Sequence, residues 1–171
     1  SGGSVLSSGF GGLNAERTGF ALKEWDFLSF EGADENNSAY YLFNDDKSGM
    51  KRGMYSFGIL MKAHAGGIAS YIKPYFNRHW DGLHGYFYTP PEKETEYSAA
   101  AVNGNIGHIC FKIFEAYSKF SAAFHKDLVE HIIGRLLPEP LIRTEGIPST
   151  ARVTATGTDA YTLVHVKVTY P

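Results

Sequence analysis

The sequence predicts an α/β or α+β fold, a mixed β-sheet with one long amphipathic helix and a β-hairpin at the C-terminal end. Three observations predict it. Short β-rich stretches separated by turn residues fill the chain from Val5 to Phe114. Between Ala116 and Leu137 the apolar side chains Tyr117, Phe120, Phe124, Leu128, Ile132 and Leu136 recur at helical spacing. Past the prolines that end this helix, Ala151 to Thr156 and Tyr161 to Tyr170 flank the turn Gly157-Thr158-Asp159-Ala160, with Val164, Val166, Val168 and Tyr170 alternating against Leu163, His165, Lys167 and Thr169.

The elements follow in order. Ser1-Gly2-Gly3-Ser4 reads as a loop, Val5-Leu6-Ser7-Ser8 as a short buried strand, and Gly9-Phe10-Gly11-Gly12 as a tight turn. So little chain before a strand-end glycine turn predicts that the natural protein extends upstream of Ser1. Asp26 to Phe30 and Ala39 to Phe43 are predicted strands. Tyr55 to Ala65 and Ile68 to Phe76 surround Gly66-Gly67 and predict a hairpin. From Arg78 to Pro91 periodicity is lost, and Pro90 to Glu96 is expected to be an exposed loop. Gly107 to Phe114 is a compact apolar strand with Cys110 inside it. Pro138 and Pro140 stop the helix, because proline lacks the amide donor and clashes with the preceding turn. The final hairpin, marginal as an isolated pair, predicts continuation beyond Pro171. Two domains are expected, 1–140 and 141–171.

Composition bounds the function. The 171 residues are 43% hydrophobic, enough for a packed core and too many for a disordered chain. Sixteen Lys plus Arg against eighteen Asp plus Glu give a net charge of -2 without like-charged runs, which argues against nucleic-acid binding. No apolar run approaches the roughly 20 residues of a membrane span. No membrane partner is therefore expected, and a soluble, cytoplasmic location is favoured, any signal peptide lying upstream of Ser1. A single cysteine excludes an internal disulfide framework. The aromatic content of 15% fills cores first and offers stacking surfaces second.

The chemistry-bearing residues are few. Cys110 between Ile109 and Phe111 reads as a buried thiol, since an exposed nucleophile needs a sharp turn with small neighbours. Glu92, Glu94 and Glu96 read as a solvated charge run rather than the paired carboxyls of a glycosidase. Gly9 to Gly12 lacks the Lys-Ser/Thr of a phosphate loop. The densest polar cluster is His79, Trp80, Asp81, His84 and Tyr86. No regular element fixes metal-ligand spacing there, so neither a metal nor a cofactor is predicted. These five residues are the candidates for contact with a ligand or partner subunit, because stacking rings stand beside hydrogen-bonding groups. A polar surface loop anchored by Trp80 explains them equally well.

Ser4 to Gly9, the His79 to Pro91 stretch with Thr89-Pro90, and Asn103 to Tyr117 resemble the C-terminal region of bacterial glycoside-hydrolase-like proteins related to the β-galactosidase family with a catalytic TIM barrel. Leu136 to Ile142, Gly146 to Ser149 and Val164-His165-Val166 resemble the passage from the trimerisation domain of that family into a C-terminal β domain. The resemblance implies a flavodoxin-like or class I glutamine-amidotransferase-like layer, missing its first strands and without glutaminase chemistry. It also implies an accessory, oligomerising role. The barrel that bears the family's catalytic glutamates is not in this sequence, so no catalytic residue is carried over.

The leading expectation is thus a non-catalytic accessory segment of a glycoside hydrolase in carbohydrate metabolism. Its expected partners are copies of itself, as dimer or trimer, or an upstream TIM barrel, and a saccharide. The rivals are a stand-alone carbohydrate-binding or structural interaction module, and an enzyme in its own right, either an amidotransferase using Cys110 or a sugar-converting enzyme acting on a disaccharide.

Overall fold

A computed structural model describes residues 3–9, 25–28, 39–54, 60–76, 89–148 and 150–169. Among them are the strands β1 (Val5–Ser8), β2 (Trp25–Leu28), β3 (Ala39–Phe43), β4 (Arg52–Met54), β5 (Leu60–Ala63), β6 (Gly67–Pro74), β7 (Pro91–Asn103) and β8 (Ile106–Ile109). Helices α1 (Ile113–Phe120) and α2 (Ala123–Leu136) follow, then β9 (Ala151–Gly157) and β10 (Thr162–Val168). The contacts divide into two units, Ser1–Pro138 and Glu139–Pro171.

In the first unit the strands run β1-β8-β7-β6-β3-β4, with β5 joining β7 and β2 joining β5. β1 lies parallel to β8, and the other pairs are antiparallel, so the sheet is mixed. It curls into a half-barrel. The register of β6 on β7 shifts repeatedly between Gly67 and Pro74, and such irregularities bend and twist a sheet. In the C-terminal half of β7, Ala99, Ala100 and Ala101 are fully buried; small side chains on both faces let neighbouring layers approach closely. α2 covers one face with Leu128 and Ile132, both fully buried. Gly107 lies beneath them, where a Cβ would come within 2.8 Å of Ile132 Cγ2. Tyr41 ties sheet to helix by donating its hydroxyl to the Phe124 carbonyl at 2.5 Å. Trp25 Nε1 donates to the Ala65 carbonyl at 3.0 Å.

Several expectations are corrected. The predicted single helix is two helices: Ser121 adopts a left-handed backbone (φ 49°), donates its N–H to Tyr117 O at 2.8 Å and ends α1, and extended Ala122 starts α2. The apolar spacing runs across this break and therefore conceals it. Burial in α1 is confined to Ile113 and Ala116, while Tyr117, Phe120 and Phe124 of the expected core stripe stay exposed. Gly66-Gly67 makes no hairpin. Ser98 of β7 pairs with Met61 of β5 on one edge and Ser70 of β6 on the other, so the chain crosses β7 between them. Gly66 (φ 73°) is the crossing point: its carbonyl accepts from Val102 N at 2.9 Å, and a Cβ there would stand 2.0 Å from Val102 O. Residues 92–96, expected in a loop, belong to the exposed start of β7. Cys110 follows β8 rather than lying within a strand, and β1 is half-exposed rather than buried. The flavodoxin-like description is not clearly met by this strand-rich architecture.

In the second unit β9 and β10 pair antiparallel as the alternation predicts, with Val166 opposite Val153, Val164 opposite Ala155 and Val168 opposite Ala151. One face of this hairpin is therefore apolar apart from Thr162 opposite Gly157, and Val164 and Val166 are more than half exposed.

Candidate functional site

His79, Trp80, Asp81, His84 and Tyr86 lie outside the described residues. The groups weighed for nucleophilic chemistry can be placed. Cys110 is fully buried, and burial pushes its thiol far above the ordinary range, so the thiolate needed for attack does not form in the folded chain. Ser7 and His108 meet across the β1–β8 pair, with 2.7 Å between Ser7 Oγ and His108 Nδ1. Burial lowers the His108 imidazole to about 4, too weak a base to activate a hydroxyl efficiently near neutral pH. Glu96 is held below the usual carboxylate range by Lys62, which donates to it at 2.6 Å. A carboxyl kept ionised in solvent is no general acid. Among the described residues no group of three or more His, Cys, Asp or Glu side chains could hold a metal ion. No helix among them is long and apolar enough to cross a membrane.

What the fold does assemble is a cleft of about 380 Å³ at one end of the sheet, lined by Asn44, Asp45, Gly66, Gly67, Ile68, Val102 and Arg135. Its walls come from four places in the sequence. The turn after β3 supplies Asn44 and Asp45, the β7 crossing supplies Gly66 and Gly67, the sheet supplies Ile68 and Val102, and α2 supplies Arg135.

The turn is held firmly. Asp46 accepts from Ser48 N at 2.9 Å, from Ser48 Oγ at 2.5 Å and from Arg52 Nη1 at 2.8 Å. These bonds lower its carboxyl to about 2, the Ser48 hydroxyl first and Arg52 next. The Arg52 guanidinium lies 4.8 Å from the Phe43 ring centroid, and Phe43 stacks on His131 at 4.6 Å. β4, β3 and α2 are thereby clamped in one column. Asn44 Nδ2 donates to Gly67 O at 3.0 Å and Asn44 Oδ1 accepts from Ser70 Oγ at 3.0 Å, fixing the turn to the start of β6.

Asp45 differs from its neighbour. Its Oδ2 stands 3.5 Å from Arg135 Nη2 and 3.9 Å from His131 Nε2, side chains one helical turn apart on α2. Both separations are long for a hydrogen bond, and His131 Nε2 is buried with no hydrogen-bond partner. Asp45 and Arg135 thus face one another across the cleft, while the buried His131 Nε2 does not line it. Sequence reasoning passed over this trio. Asp45 follows the predicted strand Ala39 to Phe43 and His131 and Arg135 belong to the predicted helix, and only the tertiary fold joins them. The four-residue spacing of His131 and Arg135 was the one available signal.

No family model and no curated protein matches the sequence. Among solved structures the chain is similar to alpha-L-fucosidase isoenzyme 2 from Paenibacillus thiaminolyticus, with a TM-score of 0.81 and 23% sequence identity over 99% of this chain and 26% of that one. The chain spans about a quarter of that protein's length, and what the two share is the fold.

Proposed function

We propose that this chain is a non-catalytic accessory and assembly segment of a glycoside hydrolase acting in carbohydrate metabolism. The observation that carries the reading is the match of nearly the whole chain to a quarter of a fucosidase. A segment of that proportion within a glycoside hydrolase leaves most of the length for a separate catalytic domain. The buried thiol and the weakly basic, buried His108 support it, since neither is equipped for catalysis at neutral pH. So does the apolar face of the β9–β10 hairpin, because a two-stranded sheet is marginal in water until something covers it.

In this reading residues 1–140 form a trimerisation-type domain of amidotransferase-like ancestry, and 141–171 begin a C-terminal β domain. His79, Trp80, Asp81, His84 and Tyr86 are the proposed saccharide or subunit contact. Light scattering of the purified chain across a concentration series, run beside hydrolysis assays on nitrophenyl glycosides, tests the role. The expected result is a stable dimer or trimer without turnover. A monomer that hydrolyses a glycoside overturns it. For the loop, an Asp81→Ala, His84→Ala double variant with unchanged oligomer size and unchanged sugar binding removes it from the proposal.

A further inference from the structure

We infer that the cleft bounded by Asp45, Arg135 and the β7 crossing is a binding site for one neutral sugar residue, held through a hydroxyl that bridges Asp45 and Arg135. This goes beyond the assembly role and does not depend on it.

The argument rests on how the cleft's groups match a ligand. Asp45 can only accept hydrogen bonds and Arg135 can only donate them. At 3.5 Å the two stand too far apart for a good hydrogen bond, yet close enough for a single oxygen to reach both. A hydroxyl suits this gap because it donates and accepts at once. Its O–H can point to Asp45 Oδ2 while its oxygen accepts from Arg135 Nη2.

Charge selects among ligands. The carboxylate and the guanidinium lie on the same cleft with opposite signs, so an anion meets Asp45 and a cation meets Arg135. A neutral polyol pays neither penalty. The cleft is also mixed in character: Ile68 and Val102 line it beside the polar groups, which matches a pyranose ring with its C–H face and its hydroxyl edge. A cavity of about 380 Å³ has room for such a ring.

The site is preorganised. Asp46, Ser48 and Arg52 hold the turn, the Arg52–Phe43–His131 stack ties β3 and β4 to α2, and Asn44 pins the turn to Gly67. A ligand therefore costs little ordering of the backbone.

The test is an amide-shift NMR titration of the isotope-labelled 171-residue chain with L-fucose, D-galactose and D-glucose, with galacturonate and sulfate as anionic probes and glucosamine as the cationic one. At least one neutral sugar is expected to bind saturably with a dissociation constant on the order of millimolar, shifting the Asp45, Gly66, Gly67 and Val102 amides. Asp45→Ala and Arg135→Met, checked for unchanged melting temperature, should each weaken that binding at least about fivefold. If a variant loses its fold, the location of the wild-type shifts decides alone. Absence of saturable shifts with every neutral sugar, shifts confined to another surface, tighter binding of a charged probe, or unaltered affinity in both folded variants overturns the inference. None of these results bears on the oligomeric state, so failure here is distinguishable from failure of the assembly role.

Discussion

Ser7 and His108 occupy facing positions in the parallel β1–β8 pair and lie 2.7 Å apart, Oγ to Nδ1, although 101 residues of chain separate them. Burial holds this imidazole at about 4 instead of 6.5, and burial lowers His125 as well. The folded chain thus keeps His108 neutral in a range where the unfolded chain protonates it. Stability is complete above about pH 6.5 and declines as pH falls toward about 4, by roughly 3 kcal/mol for His108 alone. Denaturant midpoints measured across this interval should show the slope, and His108→Asn should flatten it. An equal slope in that variant would show that other groups control acid unfolding.

Two glycines with positive φ should respond differently to alanine. At Gly104 (φ 58°) a Cβ meets nothing within 4 Å, so the cost is the left-handed backbone alone, about 1 kcal/mol. At Gly66 the same change also drives a Cβ into the Val102 carbonyl, and the loss should exceed about 3 kcal/mol. Chemical denaturation of both variants makes the comparison, and equal losses would contradict the crossing geometry.

Gly107→Ala places a methyl against the buried Ile132 side chain and the Leu136 terminus. Overpacking of this kind should cost about 1 to 3 kcal/mol. Combined with Ile132→Ala, which removes the clashing Cγ2 methyl, the Gly107→Ala change should cost less than the sum of the two single losses. Additive losses in the double variant would show that the two residues are not in contact.

His125 is fully buried, and neither ring nitrogen has a hydrogen-bond partner. His125→Leu should therefore stabilise the chain by about 1 to 2 kcal/mol, by removing polar atoms whose desolvation is uncompensated. Thermal unfolding reads this directly; a lower melting temperature would mean that the imidazole is satisfied in solution.

Cys110 should be inert to thiol reagents in the native chain and react fully in denaturant, because burial both excludes the reagent and suppresses the thiolate. Native labelling at the rate of a free thiol would place Cys110 at the surface.

Local pattern made much of the fold legible. Ala39 to Phe43 and Val5 to Ser8 are strands at the predicted residues, and the valine alternation from Val164 to Val168 gives the β9–β10 register. The failures share a cause. Gly66-Gly67 looks like a hairpin because the pair shows only that the chain turns, whereas the partners of β5 and β6 are set by Ser98, some thirty residues later. The break at Ser121 escaped notice because Phe120 and Phe124 keep helical spacing across it. The cleft was illegible for the same reason as the crossing: Asp45 and Arg135 lie 90 positions apart, and no local rule relates them.

The β1–β8 pair also constrains the order in which the chain acquires its structure. Val5 leaves the ribosome about a hundred residues before its partner Ile106, so β1 must wait without an edge to join while β7 and β8, joined by a short turn, pair with each other. Closing so long a loop is entropically slow compared with closing that turn. β1 is therefore a late arrival whose docking seals the outer edge of β8, and until then that edge is open to any extended segment, from the same chain or from another.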